Sequence, residues 1–240
     1  MSVAFAAAEA LAWTHGRLAQ GSGETRFSGA GIDSRTIEPG QLFVAIRGEQ
    51  HDAHAFVGNA LERGATGIVV EEAWLAENPP PETSIIAVDD CTAALGSLAR
   101  GHRRRFPGPV VAVTGSNGKT TTKELIHSIL SVSGPCLKNL GNLNNEFGLP
   151  LSLLARKDEH TRAVVELGMN HRGEIARLTA IAEPDVGIVT NVGSAHIEFL
   201  GSQEEIGREK GDLVAGMAAG SVAAGTICWR SSPAARHAPW

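Results

Sequence analysis

Apolar runs and amphipathic stretches alternate along most of the chain. Short apolar runs bounded by Gly and Pro predict β-strands, and apolar positions at helical spacing between them predict helices. Because the runs in the second half are uninterrupted, we expect strands covered on both faces of a parallel sheet. The alternation predicts an α/β fold. The predicted strands are 42–46, 66–70, 84–88, 110–113, 163–167 and 186–191, and the predicted helices are 55–63, about 90–105, about 119–130 and 173–181.

The segment Phe106-Pro107-Gly108-Pro109 interrupts this alternation near the middle of the chain. Two prolines and a glycine break a helix and stiffen a connection, so we expect a domain boundary here. The prediction is a small N-terminal α/β domain at 1–106 and a domain with a mostly parallel sheet at 107–222. Residues 223–240 contain no acidic side chain and are interpreted as a non-native tail after a truncation or a change of frame.

Composition narrows the class of protein. The chain has 240 residues, 42% of them hydrophobic, and a net charge of −5, which is typical of a folded globular protein and argues against nucleic-acid binding. Three separated cysteines form neither a disulfide framework nor a zinc spacing. Residues 213–229 carry no charge but are too short and too rich in glycine for a membrane span. We therefore expect a cytoplasmic protein without membrane insertion.

The strand predicted at 110–113 leads directly into a glycine-rich turn and a Lys-Thr pair at the start of a helix. Glycines let backbone N–H groups converge on an anion, and the helix N-terminus adds its dipole. Lys119 would bring positive charge to nucleotide phosphates, and the Thr120 hydroxyl would bind Mg²⁺. The loop is shorter than usual, because Val113 stands where the first glycine is expected. The predicted nucleotide-binding residues are Thr114, Gly115, Ser116, Asn117, Gly118, Lys119, Thr120 and Thr121.

Other polar residues lie close to predicted strand ends. Glu166 lies at the carboxyl end of its strand, where ligands of open α/β sheets bind, and could hold Mg²⁺ beside the loop. The alternative is a solvated surface carboxylate. His196 follows the next strand, and Asn144 and Asn145 lie in an amide-rich stretch. These three are interpreted either as surface and turn residues or as contacts to metal and substrate.

The loop 114–122 resembles the nucleotide loop of the Mur ligases, ATP-dependent enzymes that attach amino acids to the bacterial cell-wall precursor. Three further segments, 141–154, 165–175 and 191–196, are similar to the MurF-type members of this family. The N-terminal residues 33–35, 39–45 and 48–54 resemble the family's UDP-binding domain, although Ala53 replaces the usual glycine. The resemblance covers roughly residues 28–222.

The resemblance implies a reaction and its partners. D-alanyl-D-alanine would be added to UDP-N-acetylmuramoyl-tripeptide through an acyl phosphate, with ATP and Mg²⁺, by a monomeric enzyme of peptidoglycan synthesis. Family members continue into a third domain that binds the dipeptide, so this chain is expected to be an inactive fragment. The resemblance also implies roles for residues. The catalytic residues would be Lys119, His196 and Lys210. The metal would be held by Thr120, Glu166, His196 and Lys210. The UDP-linked substrate would contact Asp33, Ser34, Arg35, Asn144 and Asn145.

Lys210 takes its role only from the resemblance, because the family carries a carbamylated lysine at this place. Without it, Lys210 would be interpreted as a helix-surface lysine.

Three other functions stay open. The first is another Mur ligase or a folylpolyglutamate-type ligase, and the second is a P-loop kinase or GTPase, for which no Asn-Lys-x-Asp motif is present. The third is a non-catalytic fragment that binds nucleotide or the UDP-linked substrate.

Overall fold

The structure, a computed structural model, describes residues 3–48, 51–193 and 201–225. The chain divides into two compact units, each a sheet with helices. The first unit comprises Met1–Arg105 and Leu154–Asp158, and the second comprises Phe106–Leu153 and Glu159–Trp240. The predicted α/β fold class is confirmed.

The first unit is built on a five-stranded sheet and a separate two-stranded ribbon. Its strands are β1 (Phe5–Ala6), β2 (Arg17–Gln20), β3 (Arg26–Phe27), β4 (Ala30–Gly31), β5 (Leu42–Val44), β6 (Gly67–Glu71) and β7 (Ser84–Val88). Its helices are α1 (Ala7–Thr14), α2 (Val57–Glu62), α3 (Glu72–Glu77) and α4 (Cys91–Arg104), with a 3-10 turn at Ala53–Phe56. The sheet order is β2-β7-β6-β5-β4; only β2 pairs antiparallel, while β1 and β3 form the ribbon.

The apolar runs of the first unit form its core, as their pattern predicts. Phe43, Ile68 and Ile85, one from each of three neighbouring strands, are fully buried in one hydrophobic cluster. Helix α4 begins after Asp90, whose carboxylate accepts the N–H groups of Thr92 and Ala93 and so caps the helix. The short strands β1, β3 and β4 escape the sequence pattern, because two residues cannot display a period.

The second unit contains one parallel sheet with helices in the crossover connections. Its strands are β8 (Val110–Thr114), β9 (Cys136–Lys138), β10 (Arg162–Glu166), β11 (Val186–Val189) and β12 (Val222–Gly225). Its helices are α5 (Lys119–Ser131), α6 (Gly148–Leu154), α7 (Glu174–Ala182) and α8 (Gln203–Ala215). The order is β12-β11-β8-β10-β9, with every pair parallel. The chain thus builds outward on both sides of β8, and the carboxyl end of β8 is the switch point where ligands bind in such sheets.

The uncharged stretch 213–229 is divided among ordinary elements as far as the structure describes it. Leu213 is buried at the end of α8, and β12 pairs with β11 in the register Gly187 to Ala223. Residues 223–225, which the sequence pattern assigned to the tail, therefore belong to a strand of the sheet, whereas 226–240 lie outside the described residues. In the described ranges, no helix has the length and apolar character needed to cross a membrane.

Candidate functional site

The loop between β8 and α5 has a backbone that only glycines adopt easily. Gly115 has φ 149° and Gly118, which precedes the first turn of α5, has φ 78°. The Lys119 ammonium folds back over the loop and donates to the carbonyls of Gly115 (2.9 Å) and Ser116 (3.4 Å). A positive side chain and a helix N-terminus thus lie together, an arrangement that binds phosphate.

A second set of hydrogen bonds ties this loop to the residues that follow β11. The Asn191 side chain accepts from the Asn117 N–H (3.0 Å) and donates to the Asn117 carbonyl (3.0 Å). The Thr190 hydroxyl donates to the same carbonyl (2.6 Å), and the Gly193 N–H donates to Ser116 Oγ (2.8 Å). The loop shape is therefore set by the sheet before any ligand binds. Sequence reasoning did not select Asn191 as a site residue; its place just after a strand was the available signal.

Glu166 ends β10, the neighbour of β8, and its side chain is 3% exposed. The Thr120 hydroxyl donates to Glu166 Oε2 (2.8 Å), and the Asn144 amide donates to Oε1 (2.8 Å). The interpretation of Glu166 as a solvated surface carboxylate is wrong. Sequence reasoning missed Lys123, whose Nζ lies 3.9 Å from Oε2, although a lysine one helical turn after Lys119 is a signal that could have found it.

Lys210 of α8 is 1% exposed, so its interpretation as a surface lysine is also wrong. Burial lowers the pKa of Lys210 to about 8; the positive charge of Lys119 acts in the same direction, and Glu209 opposes it. Glu209 itself accepts the N–H groups of Gly173 (2.8 Å) and Ile175 (3.0 Å) at the start of α7. This contact fixes the helix that carries Lys210 against the beginning of α7.

Two other predicted residues use their side chains locally. The Thr114 hydroxyl donates to the Leu167 carbonyl (2.9 Å), and Asn145 Oδ1 accepts the Gly148 N–H (2.9 Å) at the start of α6. His196 lies outside the described residues. In the second unit the structure therefore brings together Lys119, Thr120, Asn144 and Glu166, with Lys210 within electrostatic reach of Lys119.

The predicted residues Asp33, Ser34 and Arg35 lie in the first unit, on the loop before β5. Arg35 donates from Nε (2.9 Å) and Nη2 (2.7 Å) to the two Asp33 oxygens, and this pairing lowers the pKa of Asp33 to about 2. Ser34, which lies between these two residues in the sequence, is buried. Because the Arg35 side chain is 86% exposed, its fork could turn to an anionic ligand.

The oxygen atoms near the loop fit a magnesium ion. Thr120 and Glu166 offer a hydroxyl and a carboxylate, both hard ligands, at the phosphate end of the sheet. Among the described residues there is no cluster of three or more His, Cys, Asp or Glu that could hold a metal without further ligands. A Mg²⁺ ion held by Thr120 and Glu166 would need further oxygen ligands, which nucleotide phosphates can supply.

A parallel sheet whose central strand ends in a phosphate loop, beside a strand that ends in a buried carboxylate, defines an α/β nucleotide-binding domain. The comparisons with known proteins specify the class further. The Mur ligase middle domain matches residues 113–237, and the catalytic domain of the Mur ligase family matches residues 26–103. The chain belongs to the Mur ligase family.

Curated relatives carry a more specific name. The chain is 40% identical over 194 residues to the UDP-N-acetylmuramoyl-tripeptide–D-alanyl-D-alanine ligase of Bacillus subtilis, and 42% identical over 194 residues to that of a Synechocystis species. Each match covers 81% of this chain and 42% of the relative, and the chain spans about half the length of these relatives.

Solved structures agree with the sequence relatives. A crystal structure of MurF from Acinetobacter baumannii superposes with a TM-score of 0.85 at 36% identity, covering 93% of this chain and 49% of that one. The MurF ligase of Thermotoga maritima in complex with ADP gives a TM-score of 0.73 at 36% identity, covering 82% and 45%. The resemblance to MurF-type ligases noted in the sequence is confirmed.

Gly115 and Gly118 provide a matched test of the loop. A Cβ added at Gly115 would lie 1.9 Å from Thr190 Oγ1, whereas nothing lies within 4 Å of one added at Gly118. We expect Gly118→Ala to lower the free energy of unfolding by about 1–2 kcal/mol, the cost of a positive φ. Gly115→Ala should cost clearly more, because it adds a steric clash to that cost. Urea unfolding of both variants measures the difference, and equal losses would contradict the loop geometry.

Proposed function

We propose that the chain is the substrate- and nucleotide-binding part of an ATP-dependent ligase that adds D-alanyl-D-alanine to UDP-N-acetylmuramoyl-tripeptide. The observation that carries this proposal is the buried Glu166 carboxylate beside the Lys119–Thr120 loop. The relatives named above support the choice of substrates. The enzyme would act in the cytoplasm, where ATP is available, and as a monomer.

The reaction joins a carboxylate to an amine at the expense of ATP. The terminal carboxylate of the tripeptide attacks the γ-phosphorus, the bond to ADP breaks, and an acyl phosphate forms. The dipeptide amine then attacks the acyl carbon, a C–N bond forms, phosphate leaves and the amine loses a proton. Two anionic groups must approach each other in the first step, so the Lys119 charge and the loop N–H groups lower its barrier by neutralising and orienting the phosphates.

Mg²⁺ would add further positive charge at the same phosphates. Thr120 and Glu166 are the described residues proposed to hold it, and His196 and Lys210 are proposed from the family resemblance. Lys210 can join such a set only if its amine becomes an anion, as carbamylation by CO₂ achieves. A lowered pKa supports this, because only the neutral amine attacks CO₂.

The UDP-linked substrate would be bound by Asp33, Ser34 and Arg35 in the first unit and by Asn144 and Asn145 in the second. The fork of Arg35 suits a diphosphate oxygen. Asn144 is already directed at Glu166, so it is proposed to contact the end of the substrate that meets the metal. Asn145 would act through its backbone or free amide nitrogen, because its side-chain oxygen caps α6.

The proposed function is tested by titrating the chain with MgATP and, separately, with UDP-N-acetylmuramoyl-tripeptide in a calorimeter. Both should bind. Lys119→Met should weaken MgATP binding about 10- to 100-fold, because a charge-assisted contact contributes about 1.5–3 kcal/mol. Lys138→Met, at the end of β9, removes a lysine that is 25% exposed and pairs with Glu124; it is the matched control and should leave affinity unchanged.

Chain that binds neither ligand would overturn the proposal. A preference for another acceptor, measured as phosphate release with a panel of amino acids and D-alanyl-D-alanine, would indicate a sister ligase. Binding of both ligands with no dipeptide-dependent phosphate release is the result expected of the binding part of the ligase alone.

Glu166→Gln tests the metal assignment. The amide keeps the shape of the side chain and can still accept from Thr120, but it loses the negative charge. We expect the Mg²⁺ concentration that gives half-maximal ADP binding to rise about tenfold or more. ADP binding in EDTA should stay the same, and a parental Mg²⁺ dependence would count against a metal role for Glu166.

Lys210 is tested by its reaction with ¹³C-bicarbonate, followed by NMR. A pKa near 8 leaves about half of the amine neutral at pH 8 and only a few per cent at pH 6.5. A carbamate signal should therefore be strong at pH 8.5 and weak at pH 6.5. Lys210→Arg should abolish the signal while Lys138→Met retains it; a signal that persists in Lys210→Arg would assign the carbamate to another amine.

A further inference from the structure

Lys123 is a fully buried lysine that the proposed reaction does not use. It lies one turn after Lys119 in α5, and its side chain is 0% exposed. Its ammonium donates to the carbonyls of Asn139 (2.9 Å) and Gly141 (3.4 Å). Two carboxylates lie within ion-pair distance, Glu124 Oε1 at 3.5 Å and Glu166 Oε2 at 3.9 Å. A buried ammonium costs desolvation free energy, so a structural reason for its presence is required.

The two carboxylates differ in their surroundings. The Glu124 side chain is 45% exposed and also pairs with Lys138. The hydrogen bond from Lys138, with a smaller contribution from Lys123, lowers the pKa of Glu124 against the opposing effect of burial. The Glu166 side chain is 3% exposed. Because water screens the first pair and not the second, the interaction with Glu166 dominates the electrostatics of Lys123 although its distance is slightly longer.

The same lysine also fixes the backbone around Glu166 through Asn139. The Asn139 side chain accepts the Glu166 N–H (2.9 Å) and donates to the Glu166 carbonyl (3.1 Å), so it takes the place of a strand neighbour beside β10. Asn139 also donates to the Leu143 carbonyl (2.8 Å). Lys123 holds the main chain of Asn139, and Asn139 holds the main chain of Glu166.

The segment 139–144 also contacts the side chain of Glu166, through Asn144. Asn144 donates through its amide to Oε1 (2.8 Å), and its carbonyl accepts the Gly168 N–H (2.8 Å). Removing the Lys123 ammonium would leave the carbonyl of the buried residue Asn139 without this donor. Both the Glu166 charge and the position of Asn144 therefore depend on Lys123.

We propose that Lys123 is a positioning residue of the nucleotide–metal site: it balances the buried Glu166 charge and fixes segment 139–144, so that the carboxylate faces the phosphate loop in a single orientation. The part of the proposal that concerns metal binding rests on the proposed function. The electrostatic coupling of Lys123 to Glu166 does not, because it is inferred from the distance and burial of the two side chains.

A double-mutant cycle tests the coupling without any ligand. Lys123→Met, Glu166→Gln and the double variant of the 240-residue chain are unfolded in urea. Lys123→Met should be the most damaging single change, since it leaves a buried carboxylate unpaired, and Glu166→Gln should be less damaging in its background than in the parent. Additive losses would overturn the proposal. Where Lys123→Met fails to fold, recovery of folded protein by Glu166→Gln supports it, and failure to recover overturns it.

The metal part is tested by ADP titration with Mg²⁺ and with EDTA. We expect Lys123→Met to weaken ADP binding in Mg²⁺ about 10- to 100-fold, the range for residues that orient metal ligands, and to leave binding in EDTA unchanged. Lys138→Met should change neither. An equal loss with and without Mg²⁺ would overturn the positioning role, because it would show general damage to the loop. Parent protein that binds no nucleotide would refute the proposed function, and the unfolding cycle would then decide the coupling.

Discussion

The nucleotide end of the second unit depends on keeping one carboxylate buried. Burying a carboxylate without partners at the end of β10 would cost free energy. Four side chains offset this cost. Thr120 and Asn144 donate hydrogen bonds to the Glu166 carboxylate, Asn139 accepts the Glu166 N–H, and the Lys123 ammonium lies within ion-pair distance. These partners come from two stretches of sequence, the start of α5 and segment 139–144. Fixing Glu166 therefore also fixes the start of α5 and the segment after β9 relative to the phosphate loop.

The phosphate loop is also held by partners from elsewhere in the chain, which here contact its backbone N–H and carbonyl groups instead of a charged side chain. Asn191 pairs with both backbone groups of Asn117, and Gly115 leaves room for Thr190. A loop held from the neighbouring strand does not have to be ordered by the nucleotide, so less binding free energy is lost to ordering. The side chains that hold the loop to the sheet are thus different from the side chains proposed to contact the phosphates.

Much of the site followed from local sequence. Lys119 and Thr120 were predicted to bind nucleotide because a strand, a glycine-rich turn and a helix start are adjacent in the chain, a combination typical of phosphate-binding loops. Glu166 was placed at a strand end by its apolar run. Whether it was buried remained open, since burial depends on Thr120, Asn144 and Lys123, residues 22 to 46 positions away.

The sequence by itself thus determined the alternation of strands and helices, the glycine-rich turn between β8 and α5 and the family, because these are carried by contiguous residues. The tertiary structure alone decided which polar residues are buried. Lys210 and Glu166 could have been surface residues on their local patterns, and the spacing of Lys123, one helical turn after Lys119, does not by itself show that its side chain is buried. The exposure of a side chain depends on which residues pack against it. In a parallel sheet these residues come from distant parts of the chain, because neighbouring strands are joined by long crossover connections.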